Sequence, residues 1–118
     1  MEEAKQYKKL KPEFKAKWLE ALRSGKYAQT QQCLKDDSGF CCLGVAADII
    51  DPSTWVMRPR DDFYSFVDPS GNKVSSWFNQ YLYNVTGLDS DAESILMQMN
   101  DDNGSTFEQI ADWIEENL

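Results

Sequence analysis

The densest set of side chains able to hold an anion lies in seven residues, 23–29. Arg23, Ser24, Lys26, Tyr27 and Gln29 bring together a guanidinium, a hydroxyl, an ammonium, an aromatic face and an amide. Those groups hold a phosphate and stack a base. At a helix end, Arg and Lys also complement the helix dipole, which is a purely structural use. Arg58 and Arg60 are the only other arginines; they flank Pro59, with Trp55 and Tyr64 nearby in sequence. Loop arginines beside aromatic residues suit anion or base recognition, and they also suit ordinary surface. Arg23, Ser24, Lys26, Tyr27, Gln29, Trp55, Arg58 and Arg60 therefore form the candidate ligand-binding set.

Other chemistries find less support. Without a single histidine, Ser-His-Asp and Cys-His catalysis and the commonest zinc ligand are excluded. Cys33, Cys41 and Cys42 are too few and too badly spaced for a four-ligand metal site, and two of them are adjacent. An odd count also argues against a disulfide framework, so the three read as small core residues, with redox sensing second. Asp101-Asp102-Asn103-Gly104 looks like a calcium loop but fails on register. With Gly104 as the sixth position, the first ligand falls on Met99 and the twelfth on Ile110. Asp36-Asp37 and Asp61-Asp62 would have to meet to hold magnesium, and nothing in the sequence brings them together. Neither phosphate-loop pattern, GxxxxGK[ST] or GxGxxG, occurs. The expectation is a non-enzymatic chain with no catalytic residues, metal ligands or cofactors.

These residues must be positioned by one core. At 118 residues, 42% hydrophobic and 13% aromatic, the chain is long enough to bury one, and a single domain over 1–118 is expected. The net charge is −8, which argues against general nucleic-acid binding. The charge is uneven: residues 1–35 hold nine bases and four acids, a net of +5, while the rest carries −13. Such asymmetry suits an anionic ligand or an acidic partner, a second copy included. No apolar run approaches membrane-spanning length, and the N-terminus lacks the apolar stretch of a secretory signal.

Periodicity gives the elements. Pro12, then Phe14, Trp18 and Leu22 at i, i+4, i+8, and Gly25 beyond them predict a first helix. Residues 27–34 suit a short strand, and residues 35–39 a turn. Residues 40–50 (FCCLGVAADII) read as a buried helix in which Gly44 admits a close neighbour. Residues 53–72 suggest two strands around a charged loop, with Pro59 restricting the first to an edge. Helices are expected over 74–83 and 91–99. Ser105 and Glu108 form an expected capping box for a last helix running close to Leu118. The fold class is α+β, with about five helices packed on a small antiparallel sheet.

Three segments carry a resemblance. They are Trp18 to Gln29 (WLEALRSGKYAQ), Gly39 to Val45 (GFCCLGV) with Asp48 after it, and Met99 to Glu115 (MNDDNGSTFEQIADWIE). In this order they resemble a widespread family of small accessory proteins of tailed phages and prophages, with the pattern W-x-x-A-L-R-S-G-x-Y-x-Q, C-C-L-G-V, N-D-x-G-x-S-F-x-x-I-A-x-x-I-E. The third segment carries one extra residue in its turn, and residues 53–72 match no part of the pattern. The resemblance implies immune evasion in the host bacterial cytoplasm: an anti-CBASS-type sponge that sequesters a cyclic dinucleotide or related nucleotide signal as a homo-oligomer, a dimer or tetramer. The alternative is an acidic DNA mimic or other protein-binding inhibitor of a host defence effector, motivated by the −13 segment. A virion-associated role and an enzyme rank below both.

Overall fold

The structure, a computed structural model, describes residues 6–58, 60, 62–75 and 78–118, with the side chain of Arg58 outside the description. Among these residues, five helices pack on a five-stranded antiparallel sheet. In chain order they are α1 (Pro12–Arg23), β1 (Lys35–Asp36), β2 (Gly39–Phe40), α2 (Cys42–Ile50), β3 (Trp55–Arg58), β4 (Phe63–Val67), β5 (Lys73–Val74), α3 (Gln80–Thr86), α4 (Ser90–Asp101) and α5 (Phe107–Asn117).

α1 forms as its periodicity predicts. Proline at its first position has no amide hydrogen to leave unpaired, and Phe14, Trp18 and Leu22 are its buried stripe. Gly25, at φ +75°, turns the chain out of the helix. α2 is the centre of the core. Its residues Cys42, Leu43, Gly44, Val45, Ala46 and Ala47 are all buried, and Trp18 Nε1 of α1 donates to the Cys42 carbonyl at 3.0 Å. A Cβ on Gly44 would lie 1.8 Å from the Leu34 carbonyl oxygen, so glycine is what lets that strand-side backbone approach the helix. The expected close neighbour is Leu34.

The sheet runs β2-β1-β4-β3, and β5 shares the β1 edge of β4. β3 pairs with β4 through Trp55 opposite Phe66 and Arg58 opposite Phe63. The two strands expected in 53–72 are thus β3 and β4, and β3 is a terminal strand of the sheet; Pro59 lies outside the described residues.

Four expectations shift. Residues 27–34 make only one bridge, Gln29 with Phe40. Beyond that bridge, side chains serve part of the backbone: Asn100 Nδ2 donates to the Thr30 carbonyl at 2.8 Å, and the Gln32 N–H donates to Asp101 at 3.0 Å. Phe40 belongs to β2 rather than to α2, because its N–H is committed to the Ala28 carbonyl at 2.9 Å. Val74 lies in β5 opposite Phe66, and the helix expected over 74–83 starts only at Gln80, where Asn79 caps it by accepting from the Leu82 N–H. Trp77 lies outside the described residues. The capping box belongs to Thr106 and Gln109 rather than to Ser105 and Glu108. The Ser105 backbone is used elsewhere, its N–H on the Met99 carbonyl and its carbonyl accepting from Gln29.

Candidate functional site

The eight candidate residues do not converge on one pocket. Arg23 ends α1 facing α5, with Nη2 2.8 Å from Asp112 Oδ1 and Nη1 3.2 Å from Glu115 Oε2. The hydrogen bonds it donates to Glu115, then to Asp112, raise its pKa further. Ser24 Oγ closes the helix end, donating to the Ala21 carbonyl at 2.7 Å and accepting from the Lys26 N–H at 3.1 Å. Gln29 Nε2 reaches inward to Asn100 Oδ1 at 2.9 Å and the Ser105 carbonyl at 2.8 Å. Tyr27 and Trp55 do meet, on Asp48: the phenol donates to Oδ2 at 2.7 Å and the indole to Oδ1 at 2.9 Å. Burial, then the Asp48 carboxylate, pushes the Tyr27 phenol up to about 12. Arg60 is exposed in the β3–β4 turn, and Arg58 contributes its backbone to β3. The polar groups of Arg23, Ser24, Tyr27, Gln29 and Trp55 are therefore engaged within the fold.

What these contacts build is a lock between segments far apart in sequence. Asn100, fully buried, accepts from Gln29 and from the Cys42 N–H at 3.2 Å, and donates to Thr30 and Asp101. It caps α2 from outside, next to the Cys41 sulfur, which accepts from the Gly44 N–H at 3.3 Å. The three segments that carry the resemblance thus join around Trp18, Gln29, Cys42 and Asn100. Sequence reasoning missed Asn100 and Asp48 as hubs: Gln29, Thr30 and Cys42 lie at least 58 positions from Asn100, Tyr27 and Trp55 lie 21 and 7 from Asp48, and no local pattern announces that.

Cys41 and Cys42 belong to the same core, as expected of them, whereas Cys33 is only half-buried and lies outside it. Burial pushes Cys33 up to about 11 and Cys41 up to about 12, and raises Cys42 well above the usual thiol range. They are free cysteines. Among the described residues, no group of three or more Cys, Asp or Glu side chains is placed to hold a metal ion.

The charge asymmetry also folds onto itself. α5 ends with acidic residues and no basic one, which its own dipole disfavours. Lys9 Nζ donates to the Asn117 carbonyl at 3.1 Å and Lys15 Nζ to the Glu115 carbonyl at 3.2 Å, so cations from the basic segment fill that role.

Lys8, Lys9, Lys11, Lys17 and Lys26 line an open ridge. A groove of about 390 Å³ is lined by Lys11, Lys17, Glu13, Phe14, Ile49 and Tyr81, among others. A second, of about 600 Å³, adjoins it through Lys11 and adds Lys8, Lys9, Tyr83 and Asn84. A third, of about 200 Å³, adjoins through Lys17 and adds Glu20, Ser24, Lys26 and Tyr27. Lys8 Nζ donates to the Tyr83 hydroxyl. Lys11, Lys17 and Lys26 are exposed, and their ammonium groups make no hydrogen bond or ion pair with another described residue. The arrangement is a run of ammonium groups beside tyrosine rings, suited to an anion with an aromatic or apolar part. Of the candidate residues, Ser24, Lys26 and Tyr27 line it.

The sequence pattern of one domain family matches residues 10–118. The chain belongs to that family, described as a domain of unknown function, DUF8296. No curated protein and no solved structure matches it. In this DUF8296 chain the Leu10 N–H donates to the Leu118 carbonyl at 3.0 Å, so the two ends of the matched span are tied to each other. Among the described residues, no helix is long and apolar enough to cross a membrane.

Proposed function

We propose that the chain is a non-enzymatic binding protein that captures a nucleotide anion on the lysine ridge of α1. The observation that carries this reading is the continuity of the three grooves through Lys11 and Lys17, with Lys11, Lys17 and Lys26 unpaired among the described residues. Ammonium groups with no internal partner keep their full charge for a ligand, and Tyr27, Tyr81 and Tyr83 supply rings beside them. Arg23 and Gln29, engaged within the fold, act only by holding the ridge in place. Supported by the resemblance to tailed-phage accessory proteins, the ligand is a cyclic oligonucleotide signal of the host's immune system, sequestered without chemistry in the bacterial cytoplasm. The test is native mass spectrometry and calorimetry with a pool of cyclic di- and trinucleotides. Binding that Lys17→Glu lowers at least tenfold and Arg23→Ala leaves within about threefold would support the reading; no retained nucleotide from the pool would end it.

One observation favours the acidic-inhibitor reading. Asp102, Glu108, Asp112 and Glu115 are exposed on or beside α4 and α5, and Arg23 pairs with the last two. That reading predicts a basic host protein as partner, with binding that weakens steeply as salt rises.

A further inference from the structure

β3 is a terminal strand of the sheet, and it carries the two exposed large hydrophobic side chains of the described residues: Val56, 43% exposed, and Met57, 36% exposed. Side chains alternate along a strand, so Val56 and Met57 lie on opposite faces of the sheet. An occupant that covers both must therefore extend the sheet in its own plane rather than pack on one face.

The hydrogen-bonding parity of the edge is set by β4. The Val67 N–H donates to the Thr54 carbonyl at 3.1 Å, and Val56 and Arg58 follow Thr54 with the same orientation. Alternation then turns the N–H and C=O groups of Trp55 and Met57 toward the open edge. Position 59 is proline, which has no amide hydrogen to offer, so the usable edge is centred on Val56.

We propose that two copies of this chain associate by antiparallel pairing of β3 about Val56, continuing the sheet from one copy into the other. In that register Trp55 of each copy exchanges both backbone hydrogen bonds with Met57 of the second copy, and Val56 faces Val56 in the non-hydrogen-bonded position between them. The strand is self-complementary in side chains as well. Each Met57 thioether meets the indole of the other Trp55 on one face, a favourable sulfur–aromatic contact, and the two Val56 side chains meet on the other. The other register, centred on Met57, would set Trp55 opposite position 59, lose one of the two bonds of each such pair to the missing proline amide, and part Met57 from the indole.

A four-residue strand covers far less than the ~800 Å² per partner of a standard interface, so the dimer is weak, with a Kd on the order of 10–100 µM. It is independent of the lysine ridge: loss of nucleotide binding leaves it standing, and loss of the dimer leaves the ridge standing.

Sedimentation velocity of the intact chain over a high-micromolar concentration series should show a 13.6 kDa species giving way to one of twice that mass. Val56→Lys, which sets like charges directly opposite one another, should weaken the association at least tenfold. Register is read by mild oxidation. Val56→Cys should form a covalent dimer, because non-hydrogen-bonded partners lie close enough for a disulfide, whereas Met57→Cys should form far less. A single monomeric species at all concentrations, or cross-linking at position 57 as fast as at 56, would overturn the proposal.

Discussion

Replacing Asn100 by leucine, which has its branched shape and none of its polarity, tests whether the motif segments hold the fold. Asn100 is buried to the last atom, and its amide makes four hydrogen bonds at 2.8–3.2 Å. Leucine would strand the Cys42 N–H at the start of α2 and the Thr30 carbonyl, and would leave Gln29 and Asp101 each with one bond fewer. A buried polar group left unmade costs roughly 1–3 kcal/mol, and Gln29 and Asp101 keep other partners. Two stranded groups and two weakened ones give a loss of about 3–5 kcal/mol, a third or more of the stability typical of such a domain. Urea unfolding followed by tryptophan fluorescence should show a large fall in midpoint at an unchanged slope. Asn100→Asp keeps the acceptors, loses both donors and sets a carboxylate beside Asp101, so it should be at least as damaging at pH 7 and partly recover as the new carboxyl protonates. A loss below about 1 kcal/mol for Asn100→Leu would refute the lock, and with it the assignment of Gln29 to the fold rather than to a ligand.

Other consequences can be measured on the same footing. Glu93, 4% exposed on α4, accepts from the Phe78 N–H at 2.8 Å, and burial outweighs that bond to push its pKa from 4.5 up to about 7. Its stabilising contribution is full below pH 4.5 and is lost as pH rises through about 7. Without histidine, little else titrates in that window, so stability should fall by about 2–3 kcal/mol from pH 5 to pH 8, and Glu93→Gln should flatten the profile; an equally sloped variant would show that another group is responsible. Asp36 and Asp68, whose pKa values are lowered by the hydrogen bonds they accept, lose their contribution only in more acid solution. Gly44→Ala forces a methyl into the Leu34 carbonyl and should cost several kcal/mol or prevent folding, as soluble yield and thermal unfolding would report. In a thiol-reagent assay, Cys41 and Cys42 should react only on unfolding and Cys33 slowly before it; three fast thiols in the native protein would contradict the core role.

The amino-acid sequence by itself determines most of the helical frame. Pro12 with the Phe14, Trp18 and Leu22 stripe, and Phe107 with Ile110, Ala111 and Ile114, are local patterns whose buried faces are set by a 3.6-residue period. The α+β class and the strand pair over 53–72 follow from the same local logic. What the tertiary structure alone decides is how polar groups are spent. Whether Arg23, Tyr27 and Gln29 face a ligand or the protein depends on Asp112, Asp48 and Asn100, 89, 21 and 71 positions away. The ends of elements fail for the same reason. Ser105 looks like a helix cap until its backbone is claimed by Met99 and Gln29, and residues 27–34 look like a strand until Asn100 and Asp101 satisfy their backbone. Burial of apolar faces is written in spacing along the chain, whereas hydrogen-bond partners are chosen among groups that only folding brings within three ångströms of one another.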